Sequence, residues 1–242
     1  MFNILFNSGL SIQDKFLMAF AFLFAMVIAF TMHEFSHGMV AYWNGDNTSK
    51  SMGRLSLNPL KHLDIMGTLL LLFVGFGWAK PVPINPNNFN KIRKGIFTVS
   101  IAGVSMNLIL AIANFVLLLI MFAISGAVGV AAGVAMIFYK LFYYFFLYGV
   151  TINLTLMAFN LLPIFPLDGF HVVESFTSST NKFCMFMRRY GSMILFALLI
   201  ISNLASRFGG IFVYFDIIGL FVGSITGGVE SLMFSIAGII LT

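Results

Sequence analysis

The stretch TMHEFSHGMV, residues 31–40, lies at the end of a run of almost unbroken apolar residues. The run extends from about Phe16 to Trp43, which is long enough for a membrane helix, because about 20 residues cross the hydrocarbon core. His33, Glu34 and His37 are therefore ionisable groups near the end of a predicted membrane helix. Such groups are costly at membrane depth and usually mark a functional site.

The composition indicates a polytopic membrane protein. Of the 242 residues, 60% are hydrophobic and 9% are charged, whereas soluble domains are about a quarter charged. Membrane segments need nearly all of this length, so we expect no folded soluble domain. The start lacks a basic region and a small-residue cleavage site, which favours a retained helix over a signal peptide. The single cysteine, Cys184, excludes an internal disulfide and a four-cysteine zinc site.

Apolar runs predict an all-α fold. Residues 211–241 are long enough for one tilted span or for two broken ones. The run Gly67–Trp78 is too short to span and is rich in β-formers and glycine, so it predicts a re-entrant β-hairpin between helices 1 and 2. The four predicted helices run from about Phe16 to Trp43, Gly95 to Ile124, Leu141 to Leu162 and Met187 to Leu204.

The basic residues predict the orientation of these helices. Most of them lie in two loops, one between helices 1 and 2 and the other between helices 3 and 4. The positive-inside rule places both loops in the cytoplasm and the N-terminus outside, most naturally at a bacterial cytoplasmic membrane. The formal charge of +5 is thereby explained by topology, and we expect no nucleic-acid partner.

The two histidines of the opening stretch are spaced as metal ligands. His33 and His37 are four residues apart on a helix, so both imidazoles project from one face. Zinc suits such nitrogen ligands, and a catalytic zinc has three protein ligands and a water. Glu34 can accept the proton of that water, as in helical HExxH metalloproteases. We therefore predict one Zn²⁺ per chain.

A third ligand must come from elsewhere in the chain. Asp168 lies in NLLPIFPLDGF, residues 160–170, at the same predicted depth as the two histidines. Pro163 and Pro166 break the helix there, so the backbone can turn the carboxylate inward. The alternative for Asp168 is an acid of an ordinary Asp-Gly turn. His171 is a competing ligand or a hydrogen-bonding partner of a ligand.

Three stretches together resemble the signatures of the site-2 protease family. The members of this family are intramembrane zinc metalloproteases. The stretches are HEFSH at 33–37, GWAKPVPIN at 77–85 and NLLPIFPLDG at 160–169. The resemblance covers roughly the first 170 residues. We expect no PDZ or CBS domain in this sequence. The resemblance implies a single membrane domain over 1–242, with a catalytic core at about 16–170 and C-terminal helices at about 187–242.

The same resemblance implies roles for individual residues. The zinc ligands are His33, His37 and Asp168, and Glu34 is the general base. Asn160 matches the asparagine proposed to steady the reacting carbonyl. Asn107, in GVSMN, matches another recurrent polar position, for which an interhelical hydrogen bond is an equal alternative.

The stretch GWAKPVPIN is expected to bind substrate. Its prolines forbid a helix and favour a sheet edge, to which an unwound peptide can add as a strand. The alternative is a rigid turn that only braces helix 2. The residues expected to contact substrate are Gly77, Trp78, Lys80, Pro81, Val82, Pro83 and Asn85.

The function implied is hydrolysis of single-span membrane proteins or signal-peptide remnants in the bilayer, near the cytoplasmic face. A metal transporter is an alternative use of intramembrane His and Asp, but the outer half of the chain nearly lacks the polar residues of a pathway. A serine protease would need a histidine facing Ser105 or Ser192, and His171 is the only candidate.

Overall fold

The computed structural model describes residues 9–74, 77–129, 133–178, 180–208 and 210–241. These residues form α-helices joined by turns and short 3-10 segments. The helices are α1 (Ile12–Trp43), α2 (Thr48–Ser51), α3 (Ile65–Val74), α4 (Ile92–Val128), α5 (Val134–Asn160), α6 (Asp168–Phe176), α7 (Lys182–Phe208) and α8 (Ile217–Leu241).

Five of these helices, α1, α4, α5, α7 and α8, are long and apolar enough to cross a membrane. This confirms the predicted all-α fold of a multi-pass membrane protein. Each of the four predicted helices extends a few residues beyond its predicted start. For the stretch 211–241 the sequence allows one membrane span or two. The structure has a 3-10 segment (Gly210–Phe215) followed by one long helix, α8.

Local signals set the ends of α1, the helix that carries both histidines. The Ser11 hydroxyl accepts a hydrogen bond from the Asp14 N–H at 3.1 Å, which satisfies one free amide of the first turn. After the helix, Gly45 has φ +104°, a left-handed conformation that glycine adopts without steric cost. The chain therefore turns sharply after Trp43, and the two histidines lie in roughly the last three turns of α1.

The core of the fold is formed by α1, α4 and α5, which pack against one another. Between α4 and α5 lie buried Ala111, Phe115 and Leu154. On α1, Ala25 and Ala29 are buried, and such small residues let membrane helices approach closely. Close approach of these three helices brings the polar residues of α1 against the first half of α4.

The re-entrant β-hairpin predicted at Gly67–Trp78 is wrong. Most of this stretch belongs to helix α3, and no strand occurs in the described part of the chain; an isolated antiparallel bridge joins Leu63 to Ala79. Asp64 caps α3, because its carboxylate accepts the Gly67 N–H at 2.8 Å. Four consecutive leucines follow, and their helix propensity outweighs the strand propensity of the neighbouring β-formers. Residues 75 and 76 lie outside the described part.

Candidate active site

Three side chains from two distant parts of the chain meet at one point. His33 and His37 lie on α1, and Asp168 is the first residue of α6. The two Nε2 atoms are 3.0 Å apart, and each is 3.4 Å from Asp168 Oδ2. Within the described ranges this is the one group of three or more metal-ligating side chains. The structure therefore brings all three sequence-predicted ligands together.

The donor atoms of this group fit a zinc ion. Asp168 Oδ2 is buried and accepts no hydrogen bond from any described residue. A buried carboxylate oxygen without a partner is costly, and a cation between it and the two imidazoles would satisfy it. Two histidine nitrogens and one carboxylate oxygen are also the protein ligands of known catalytic zinc sites, which keep a further position open.

Both histidines are oriented through their other ring nitrogen. His37 Nδ1 lies 2.8 Å from the Val99 carbonyl oxygen, which can only accept, so Nδ1 carries the proton and Nε2 is free for a metal. His33 Nδ1 lies 2.6 Å from the Asn107 side-chain oxygen. Asn107, singled out in the sequence as a polar position of α4, thus contacts one of the predicted ligands directly.

Gly103 of α4 is a site residue that sequence reasoning missed. A Cβ atom at this position would lie 2.5 Å from His33 Cε1 and 2.5 Å from His37 Nε2. Such distances are far inside van der Waals contact, so a side chain here would displace both imidazoles. Gly103 and Asn107 are four residues apart and therefore lie on one face of α4. This spacing is the sequence signal that places Gly103 on the same side as Asn107.

The turn between α5 and α6 places Asp168. Helix α5 ends at Asn160, and Pro163 and Pro166 prevent its continuation. Turns and bends follow over 161–167, and α6 begins with the aspartate. Gly169 follows, with its Cα so close to the Leu161 carbonyl that a Cβ would overlap it. The glycine of the Asp-Gly pair therefore allows two backbone segments to approach closely, and the aspartate supplies the predicted ligand.

His171 does not join the metal-ligating group. Its Nδ1 atom is 3.0 Å from Glu174 Oε2, one turn further along α6. Glu174 also forms an ion pair with Arg188 of α7. Between the two residues that the sequence left as alternatives, the geometry favours Asp168 as the third ligand.

The carboxylate of Glu34 is fixed by the Pro-rich segment. Its Oε2 atom accepts a hydrogen bond from the Val82 N–H at 2.8 Å. The Val82 N–H is therefore not free to bind a substrate backbone, because it is bonded to a side chain of α1. Glu34 Oε1 accepts no hydrogen bond within the described ranges and remains open to the cavity.

The segment 79–85 does not form a hairpin and is anchored instead to α2 and to the loop that follows α2. Arg54 donates to the carbonyls of Lys80 and Pro81 at 2.9 and 3.0 Å, and the Ser49 hydroxyl donates to Pro83 O at 2.8 Å. In the described part of the chain, the Val82 carbonyl and the N–H and carbonyl of Ile84 have no hydrogen-bond partner. These groups are available on the edge that also carries the Glu34 contact.

Asp46 ties the far end of this segment to α1. It is fully buried and accepts the Asn85 N–H at 2.7 Å and the Asn88 side-chain amide at 2.8 Å. Burial raises the pKa of Asp46, but the hydrogen bonds from Thr48, Asn85 and Asn88 outweigh burial and hold the pKa below its ordinary value. An ionised carboxylate thus holds the segment in place.

A cavity of about 590 Å³ lies over the three ligands. One wall is the Pro-rich segment, and the opposite wall is the α5–α6 turn with α6. Of the residues expected to bind substrate, Pro81 and Val82 line this cavity, and Ile84 does so as well. The others, Gly77, Trp78, Lys80, Pro83 and Asn85, lie outside its lining.

Asn160 also lines the cavity, as the last residue of α5. Its side-chain nitrogen donates to the Leu156 carbonyl at 3.0 Å. A primary amide has two N–H groups, so a second donor remains.

Comparison with known proteins agrees with this geometry. The profile of peptidase family M50 matches residues 21–202, a range that contains His33, His37 and Asp168. A protein of Bacillus subtilis (strain 168) named "Putative zinc metalloprotease YwhC" is 41% identical over 181 residues, which cover 75% of this chain and 80% of that relative. No solved structure matches the chain. The chain belongs to peptidase family M50, the site-2 protease family, and is a zinc metalloprotease of the membrane.

Proposed function

We propose that this metalloprotease cleaves single-span membrane proteins, or signal-peptide remnants, near the cytoplasmic face of the bilayer. One observation carries the proposal: two of the three metal ligands are side chains of α1, a helix long and apolar enough to cross a membrane. A site on such a helix can receive a substrate from within the bilayer.

The depth of the site supports water access from the side of the basic loops. His37 is six residues and His33 is ten residues before Trp43, the last residue of α1, which corresponds to about 9 and 15 Å along the helix. The Pro-rich segment and the α5–α6 turn lie at the same end. Because the basic loops lie there too, the positive-inside rule favours the cytoplasm.

Glu34 is proposed as the general base. When zinc is bound, it supplies the Lewis acidity that polarises a carbonyl and lowers the pKa of a water ligand to about 7. The Val82 N–H holds Oε2 of Glu34, so Oε1 is the oxygen free to take a proton from the attacking water. The same carboxyl group can then protonate the leaving nitrogen.

The free edge of the Pro-rich segment is proposed to hold the substrate backbone. A helical substrate must unwind before cleavage, because its carbonyls are otherwise bonded within the helix. An unwound peptide can bond to the Val82 carbonyl and the Ile84 N–H as an added strand, largely regardless of its sequence. The second N–H of Asn160, across the cavity, is proposed to stabilise the oxyanion.

The proposal is tested with purified protein and a single-span reporter in detergent. Glu34→Gln should retain zinc, because all three ligands remain, and should lose cleavage by about 10²-fold or more, because the base is removed. A variant that cleaves at a tenth of the wild-type rate would refute the assignment. Membrane proteomics of the Glu34→Gln strain would then identify natural substrates as accumulating single-span proteins.

Metal transport is not favoured. A transporter needs ligands but no base beside them, whereas Glu34 is held against the cavity next to His33. The family match also assigns the chain to proteases.

A further inference from the structure

A chain of buried amide hydrogen bonds leads from the metal-ligating group into α5. His33 Nδ1 lies 2.6 Å from Asn107 Oδ1, and Asn107 Nδ2 donates to Asn153 Oδ1 at 2.9 Å. Asn153 Nδ2 in turn donates to the Gly149 carbonyl at 2.7 Å. Asn107 and Asn153 are 0% and 2% exposed. Neither asparagine can exchange its partners for water without a rearrangement of the helices.

The direction of every bond in this chain is set at its far end. The Gly149 carbonyl can only accept, so Asn153 must turn its NH₂ group toward it and its oxygen toward Asn107. Asn107 must then turn its NH₂ group toward Asn153 and its oxygen toward His33. That oxygen also only accepts, so His33 carries its proton on Nδ1 and leaves the Nε2 lone pair for a metal.

The two histidines differ in what secures them. His37 donates directly to a backbone carbonyl, that of Val99, which no substitution removes. His33 depends on two side chains, and the second of them, Asn153, lies on a different helix from both the histidine and Asn107. Without Asn153, the Asn107 amide could rotate by half a turn and offer its NH₂ group to His33, which would favour the wrong tautomer.

We propose that Asn153 is a positioning residue for the zinc centre, acting through Asn107 on the orientation and tautomer of His33. Asn153 belongs neither to the metal-ligating group nor to the lining of the cavity. The inference concerns zinc binding and does not depend on the proposed substrate or on the role of Glu34.

The test is zinc affinity, measured by competition with a chromophoric chelator on purified protein in detergent. Asn153→Leu should weaken zinc binding by about 10- to 100-fold, the range found when a partner of a metal-bound histidine is lost. The Co²⁺-substituted variant should show an altered visible spectrum, since the geometry at His33 changes. Wild-type affinity with an unchanged spectrum would overturn the proposal.

Asn114→Leu is the matched control. Asn114 lies on α4, as Asn107 does; its amide donates to the i−4 carbonyl of Leu110 at 2.7 Å, and it packs against Gly149 of α5. It therefore reproduces the loss of a membrane-depth amide in the same helix pair, without a bond toward His33. Its zinc affinity should stay within about twofold of wild type; an equal loss in both variants would reduce Asn153 to a packing role.

A double-mutant cycle separates action through Asn107 from a parallel effect. If Asn153 acts through Asn107, the double variant Asn107→Leu/Asn153→Leu should bind zinc no more weakly than Asn107→Leu alone. Additive losses would overturn the proposal. Should Asn153→Leu fail to fold, Asn153→Ser takes its place: the hydroxyl can still bond to Gly149 but is too short to reach Asn107, and the same loss of affinity is expected.

Discussion

Replacing Gly103 by alanine adds one methyl group against both imidazoles of the predicted metal centre. The new Cβ would lie 2.5 Å from both His33 Cε1 and His37 Nε2, whereas carbon atoms in contact stay about 3.5 Å apart. Either α4 or the imidazoles must therefore move by about 1 Å. Zinc–ligand distances tolerate only about 0.2 Å, so a shift of this size is several times what the site can absorb.

The stability cost of the same substitution is moderate. Overpacking a well-packed site costs about 1–3 kcal/mol, which a folded domain with about 5–15 kcal/mol of stability withstands. We therefore expect Gly103→Ala protein to fold and to insert, but to bind zinc at least tenfold more weakly and to cleave correspondingly poorly.

The assay is zinc content by mass spectrometry, together with cleavage of the single-span reporter. Gly126→Ala is the control, because Gly126 lies on the same helix and a Cβ there meets nothing within 4 Å. Alanine in a helix interior is otherwise slightly stabilising relative to glycine, so the control should match or exceed wild type. A Gly103→Ala protein with wild-type zinc affinity and activity would refute the packing argument.

Three further predictions concern the third ligand, the substrate edge and the topology. Asp168→Ala should lose zinc and activity, whereas His171→Ala should keep most of its zinc; the reverse pattern of metal content would make the histidine the ligand. Ile84→Pro removes the free N–H of the edge and should raise KM while zinc is retained. Ile84→Ala is the control, because it loses the side chain but keeps the N–H donor. Equal KM values for the two variants would mean that the segment is only a structural brace. A cysteine replacing Asn47 in a cysteine-free background should react with impermeant thiol reagents only from the cytoplasmic side, and labelling of intact cells from outside would invert the topology.

Removing the N–H of Val82 would not test the edge alone, because this N–H is bonded to Glu34. A proline at this position would therefore disturb the proposed base as well as the edge. Ile84 offers the cleaner test, because its N–H has no partner in the described part of the chain.

The helices and the ligand group were predictable because the chain is so apolar. Long apolar runs have few structural solutions in a bilayer, and ionisable groups at that depth are few. His33, His37 and Asp168 could therefore be selected from a short set of candidates. Helix starts were less predictable, since α4 begins in the basic residues before Gly95, where no apolar signal exists.

The features that were missed depend on tertiary contact. Gly103 matters only because α4 approaches α1 closely, and Asn153 only because it meets Asn107 across two helices. The hairpin prediction fails for a local reason: the side-chain cap from Asp64 starts a helix before the β-formers that follow. The pairing of Glu34 with Val82 joins residues 48 positions apart, and no local pattern indicates it.

The predicted metal ligands are also far apart in the order of synthesis. Asp168 follows His37 by 131 positions, which at about 5–20 residues per second means on the order of 10 s of translation. Two histidines alone bind zinc weakly, so the growing chain stays without a complete centre until Asp168 has been made. By then α1, α4 and α5 have all been synthesised. A chain that stalls earlier should release its zinc to a mild chelator and leave its membrane neighbours uncut.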